Sequence, residues 1–411
     1  MTSADLPAVA AYNVAVLRPR PFMDPPQRLL ILQYLRSPLA SELLAATESG
    51  VRITLQGLRE LSLPQPDEAL SAALADLADA ARSFEAWRAE AEAVLQSAFP
   101  DNEGFEAARA RLVDRGRTSR LRLEAASNLN DHGYIVRTRF PYPVAYRWRA
   151  VEAERSAGFS RAAYDSVLQA AEVLLCYAAH LALVLARDTN LEIGYGGVIR
   201  STLTRGKGLG FGDWAAILEE VRDGKVFRSL PDAHPLNDLR SLLASPEAAA
   251  ARRRLNDRRN DDSHLRKVDP TDLPHAFDSA FTDLNSLLKG ADFLSDLSLV
   301  HITAVRWDSI RSKATVSYRE LMGDHPVAPT RTMTYDEPGL EVDSLYLVDS
   351  QRRLHLLRPF LIGAICPTCR NWSTFHVDGV KQDVVTLKSL EHGHTMKDVS
   401  LVDPLRQIGL L

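Results

Sequence analysis

Apolar residues recur at three- and four-residue intervals through the middle of the chain, a spacing that predicts a bundle of helices. Between Arg161 and Ala186, the residues Tyr164, Val167, Leu168, Ala171, Leu174, Leu175, Ala178, Leu181 and Leu185 fall on one stripe wide enough to build a core. Asp213 to Val221 repeats the pattern through Trp214, Ile217, Leu218 and Val221, with Asp213 as the expected N-cap. Leu236 to Leu243 predicts a further turn or two of helix, and Phe277, Phe281, Leu284 and Leu288 mark a last one. Upstream, Gln27 to Leu35 and Pro38 to Ala46 read as short helices, the second capped by Ser37 with proline at its first position. Asp67 to Phe99 and Glu103 to Ala126 are long Ala-, Leu- and charge-rich patterns. They predict a helical hairpin, an arm or a small separate domain that packs on a neighbour or mediates dimers.

The period changes at about residue 297. Leu299 to Val305, Ala314 to Tyr318, Ser344 to Val348, Leu354 to Leu357 and Asp383 to Leu387 are short β-branched or alternating runs, predicting a small, mostly antiparallel β domain. Prolines punctuate the rest: residues 1–30 read as an extended lead-in, and Tyr134 to Trp148 as a non-helical bridge broken by Pro141 and Pro143. Gly194-Tyr-Gly-Gly197 and Gly206-Lys-Gly-Leu-Gly-Phe-Gly212 read as a flexible connector, because no apolar strand precedes them as a phosphate-binding loop requires. The expected fold is therefore mainly α with a C-terminal β domain, an α+β multidomain chain. Its regions are 1–130 (helical), 131–296 (helical bundle) and 297–411 (β-rich).

Composition narrows the class without naming a function. A chain of 411 residues with 45% hydrophobic and 25% charged side chains is ordinary globular protein. Its net charge of −4 argues against coating nucleic acid non-specifically, so any RNA contact has to come from a local basic patch. The run from Arg252 to Lys267 is the best such patch, with Arg254, Arg258, Arg266 and Lys267 as the candidate RNA-binding residues. Three cysteines exclude a disulfide framework and fit a reducing cytoplasm. The first residues lack a basic stretch followed by an apolar core, and the most apolar window, Val173 to Ala186, is short and contains His180. A cytoplasmic protein without membrane contact is expected.

Chemistry concentrates in Arg259-Asn260-Asp261-Asp262-Ser263-His264, which closes one helical pattern and precedes another. A histidine titrates near neutrality and can move the ribose 2′-hydroxyl proton or protonate the leaving oxygen, while an arginine stabilises charge building on the phosphate. Positions five apart on a helix point to different sides, so the two converge only if the segment bends or two copies meet. Arg370-Asn371 followed by His376 reads almost alike, but it follows Cys366-Pro-Thr-Cys369 among short strands and is discounted.

With this motif in its helical setting, residues from about 150 to 296 resemble the HEPN superfamily, helical bundles many of which are ribonucleases of toxin–antitoxin and phage-defence systems. The resemblance implies Arg259 on the scissile phosphate, His264 as general acid or base, and Asn260 orienting one of them. It also implies Glu172 as an acid facing the site, and a homodimer that cuts RNA to a cyclic phosphate and a 5′-hydroxyl with no cofactor. Asp261 and Asp262 depart from it, because they would repel an RNA backbone unless turned away or neutralised. The tyrosine that nucleotide-modified relatives carry just after the histidine is absent from Leu265-Arg-Lys-Val268. The rival expectation is a non-catalytic dimerising adaptor that binds a protein or nucleic-acid partner, and a regulatory or defence-system partner is expected in either case.

Cys366-Pro-Thr-Cys369 resembles one half of a zinc ribbon. His376, His392 and His394 are the only nearby donors that could complete it, and Cys366, Cys369, His392 and His394 are taken as the candidate set for a structural zinc. A metal-free turn is the alternative, and a redox pair fits poorly without a thioredoxin-like pattern. Cys176, on the apolar face of the Arg161 helix, is expected in the core.

Overall fold

The computed structural model describes residues 17–21, 23–46, 55–64, 68–100, 103–231, 234–264 and 266–411. Phe22, Asp67, Leu265 and the first sixteen residues of the proline-rich lead-in lie outside them. The chain divides into two compact units, Met1–Glu124 and Ala125–Leu411.

The first unit is helical: α1 (Pro25–Leu35), α2 (Pro38–Ala46), α3 (Leu55–Glu60), α4 (Glu68–Gln96) and most of α5 (Phe105–Asn128). The lead-in is not extended to residue 30, because the Asp24 carboxylate caps the Gln27 N–H at 2.8 Å and Pro25 and Pro26 fill the first turn of α1. Ser37 caps α2 by accepting the Ala40 N–H at 3.2 Å. The turn from α4 to α5 is held by Arg111, which donates to Glu103 at 2.7 Å and to the carbonyls of Ser97 and Ala98. Glu90 on α4 accepts from Arg115 and Arg122 on α5 at 2.8 and 2.7 Å.

In the second unit, α6 (His132–Arg139), α7 (Tyr142–Ala157), α8 (Arg161–Asp188), α9 (Gly196–Thr204) and α10 (Phe211–Asp223) are followed by α11 (Pro235–Ser241), α12 (Pro246–Ser263) and α13 (Leu273–Gly290). The predicted break at Tyr134 to Trp148 shrinks to Phe140-Pro141. Pro143 sits in the first turn of α7, where its missing N–H costs nothing. Asp213 is not the N-cap of α10; it lies three residues inside, accepting the N–H of the cap residue Gly210 at 2.8 Å and the Tyr195 hydroxyl at 2.7 Å. Ser160 caps α8, whose predicted stripe is buried almost throughout. The most apolar stretch of α8 passes the length test for a membrane span, but 89% of it is buried inside the protein, as a core helix requires.

Helix α12 is different, since apart from Ala248, Ala251 and Leu255 it offers its neighbours charge rather than apolar surface. Arg252 pairs with Glu219 of α10, Arg254 and Arg258 with Asp283 of α13, and Arg259 with Glu172 of α8. Ion pairs therefore fix how this helix lies on the bundle.

Nine strands follow in two antiparallel sheets. The first holds β1 (Ser298–Asp308), β2 (Lys313–Glu320), β3 (Thr330–Tyr335), β4 (Ser344–Val348) and β5 (Leu354–Leu356) in the order β3-β2-β1-β4-β5. The second holds β6 (Leu361–Ile365), β7 (Trp372–Lys381), β8 (Val384–Ser389) and β9 (Thr395–Asp398) in sequential order, before a short α14 (Val402–Gln407). The architecture is thus mainly helical with a C-terminal antiparallel β region. Leu361, Phe375 and Leu387 of the second sheet share one apolar core with Leu181 and Trp214 of the bundle, while Val300, Ile302, Val316 and Tyr346 form a smaller core of their own. The expected boundary at 296/297 consequently falls inside the second compact unit.

The glycine connector is packed rather than loose. Register slips between Val377 and Gly379 of β7, and the Gly206 to Gly208 backbone lies against that bulge. Gly206 has a φ of +67°, and a Cβ on Gly208 would meet Asp378 Oδ1 at 2.4 Å.

Candidate functional site

Helix α12 carries Arg259 and Asn260 in its last turns and ends on Ser263, with His264 as its C-cap. The segment does not bend: the His264 N–H donates to the Asn260 carbonyl at 3.0 Å, continuing the helical ladder. Five residues of helix turn by about 140°. Arg259 accordingly faces the bundle, where its Nε donates to Glu172 at 2.7 Å, while His264 and Asn260 are exposed. The structure brings together Arg259 and Glu172, 87 positions apart in sequence, but not Arg259 and His264 of one chain.

The acidic pair inside the motif is neutralised locally. Asp262 takes the guanidinium of Arg161, and Asp261 takes Arg266 at 3.3 Å. Of the four residues expected to bind RNA, Arg254 and Arg258 are engaged by the buried Asp283, whereas Arg266 and Lys267 are exposed beside the motif. The patch is smaller than the sequence suggests because helix packing consumes its centre.

Arg259 and Glu172 line a cavity of about 230 Å³ between α8, α12 and the second sheet. Arg147 enters from α7, its Nε on the Leu390 carbonyl and its Nη1 on Gln169, both at 2.8 Å. Lys388 of β8 pairs in register with His376 of β7, so both side chains leave the same face of the sheet and both line the cavity. Three cations and one carboxylate around so small a recess suit an anion of phosphate size.

The cysteine pair forms a knuckle closed by the Arg370 N–H on the Cys366 carbonyl at 2.9 Å, with Arg370 at a φ of +63°. One donor atom each of Cys366, Cys369 and His394 lies within 4.8 Å of the other two, and His394 Nδ1 is 3.5 Å from Cys366 Sγ. Burial raises the Cys366 thiol, but the N–H groups of Cys369 and Thr368, together with His394, bring it down to about 7. His392, expected as the fourth ligand, instead takes the Tyr146 hydroxyl on Nδ1 at 3.2 Å and faces the cavity. Three donors in this arrangement fit a structural zinc, with the fourth position not supplied by His392.

Sequence reasoning missed a second group. Cys176 is buried in the core as expected, but His180 of α8 and His376 of β7 meet it there, one donor atom of each within 4.8 Å of the others. Burial lowers the pKa of His180 to about 4 and that of His376 well below its usual value, and it raises the Cys176 thiol. Histidine four residues after cysteine on an apolar helical face was the available signal. No family model, no curated protein and no solved structure matches the chain.

Glu391, also missed, is fully enclosed beside the cavity wall. Its carboxylate accepts the Thr374 N–H and the Ser389 hydroxyl at 3.0 Å, yet burial outweighs these bonds and pushes its pKa up to about 7. A carboxyl raised in the folded state stabilises fully below its unfolded pKa, near 4.5, and that contribution is lost as pH climbs through 7. Thermal unfolding of the wild type should therefore lose about 3 kcal/mol relative to Glu391→Gln between pH 4.5 and 8. Parallel pH profiles of the two proteins would disprove this titration.

Proposed function

We propose that the chain is a metal-independent endoribonuclease of the HEPN type, acting as a homodimer in the cytoplasm as a toxin or defence effector. The observation that carries this reading is Arg259: it reaches from α12 to Glu172 at the wall of a cationic recess, with His264 exposed at the end of the same helix. In the reaction the ribose 2′-oxygen bonds to phosphorus and the bond from phosphorus to the 5′-oxygen breaks. Arg259 carries the charge on the phosphate, and His264 removes the 2′ proton or protonates the departing 5′-oxygen. Arg161 and Arg266 support the reading by relieving the repulsion expected from Asp262 and Asp261. A structural zinc at Cys366, Cys369 and His394 would hold the β hairpins and take no part in the chemistry.

Purified protein incubated with total RNA and with tRNA in EDTA should yield cyclic-phosphate ends, and His264→Ala should yield none. Equal cleavage by both proteins would end the assignment of His264.

The engagement of Arg254 and Arg258 by Asp283 favours a second reading, a non-catalytic adaptor in which the bundle dimerises and the β domain binds a protein or nucleic-acid partner. It predicts a stable complex in pull-down together with intact RNA.

A further inference from the structure

We propose that Cys176, His180 and His376 form a divalent-metal site of the zinc class at the floor of the cavity, tying α8 to β7. Cys176 and His180 are one helical turn apart and leave the same face of α8. His376 comes to meet them from the facing strand, its ring centroid 5.4 Å from that of His180. One donor atom from each of the three lies within 4.8 Å of the others.

The hydrogen bonds assign the tautomers. His180 Nδ1 is 2.7 Å from the Cys176 carbonyl and His376 Nδ1 is 3.1 Å from the Val377 carbonyl. A carbonyl only accepts, so both Nδ1 atoms carry the proton and both Nε2 atoms keep a bare lone pair. Among the described residues neither Nε2 has a hydrogen-bond partner. A backbone carbonyl behind the ring is the usual support of a metal-bound histidine. Trp214 flanks both rings, at centroid distances of 4.8 and 5.7 Å.

One sulfur and two imidazole nitrogens suit zinc or cobalt rather than magnesium or calcium. Zinc bonds of ~2.0–2.3 Å set tetrahedral donors roughly 3.3–3.8 Å apart, so the three residues need to close by about an ångström. Cys176 and His376 line the cavity, which leaves the fourth position to a water or an anionic oxygen from that space. Glu172, one turn before Cys176, and Lys388, opposite His376, would flank it.

The test uses the full chain carrying Cys366→Ser and Cys369→Ser, which removes the knuckle and leaves Cys176 as the only cysteine. After loading with Co²⁺ or Zn²⁺ and desalting, this protein should retain about one equivalent of metal, against about two for the wild type. Its cobalt form should show a thiolate-to-cobalt charge-transfer band. Adding Cys176→Ala, or separately His376→Gln, should cut retention at least tenfold. Retention of no metal by a knuckle variant with native circular dichroism, or a cobalt form without the thiolate band, would overturn the site. So would metal content unchanged by Cys176→Ala and His376→Gln. Should the knuckle variant not fold, Cys176→Ala in the otherwise wild-type chain decides, with unchanged metal content counting against the site and the loss of about one equivalent for it.

Discussion

Chains carrying Arg259→Ala and His264→Ala, each reduced at least ~10²-fold in RNA cleavage when alone, should together recover about a quarter of wild-type activity after co-refolding. Within one chain Arg259 is turned to Glu172 in the bundle while His264 caps the end of the helix and is exposed, so on the proposed reading the pair that works on one phosphate comes from two copies. A two-fold axis that sets Arg259 of one copy beside His264 of the other creates two composite sites. In a mixed dimer both substitutions fall in one of these sites and the other is intact. Random mixing makes about half the dimers mixed, each with one working site of two, hence the quarter. If arginine and histidine acted within one chain, every site in the mixed dimer would carry a substitution and activity would stay at the level of the single variants. A mixture in which native mass spectrometry finds the mixed dimer but the assay finds no recovery would reject the shared site.

Much of the fold could be read from residue order. The stripe from Tyr164 to Leu185 is long and strictly periodic, and it appears as the buried face of α8. Ser344 to Val348 matches β4 residue for residue. The losses have physical causes. β7 escaped notice because its bulge at Asp378 interrupts the alternation that marks a strand, and β3, Thr330–Tyr335, is exposed along most of its length and offers little apolar contrast. The prolines at 141 and 143 suggest a longer break than they make, since the first turn of a helix tolerates them. At the site, the pairing of Glu172 with Arg259 and the meeting of His180 with His376 join residues 87 and 196 positions apart in sequence. No local spacing encodes such contacts; only the packing of α8 against α12 and β7 does.

Asp283→Ala should have the largest effect on stability, about 3–5 kcal/mol, lowering the melting temperature by roughly 10 °C. Asp283 is 2% exposed and accepts from Arg254 Nη2 at 2.5 Å and Nε at 3.1 Å, and from Arg258, which is itself braced by Ser279 Oγ at 2.8 Å. Removing the carboxylate leaves two guanidinium groups facing each other against a buried wall. Arg258 bears most of that cost, because Arg254 is half-exposed and can turn to water. Asp283→Asn should fall between, since the amide keeps an acceptor but loses the charge. Replacing the group together, with Asp283→Leu and Arg258→Met, should recover much of the loss, because apolar side chains of similar volume avoid the desolvation of both ions. The consequence for the site follows from α12 having so few apolar contacts. Once the Asp283 anchor is gone, the turn that carries Arg259 is held by Glu172 and Arg161, and RNA cleavage should fall even in protein that remains folded at the assay temperature. A melting temperature for Asp283→Ala within 2 °C of the wild type would mean that Ala248, Ala251 and Leu255 seat the helix by themselves, and that its ion pairs are ornaments of the surface.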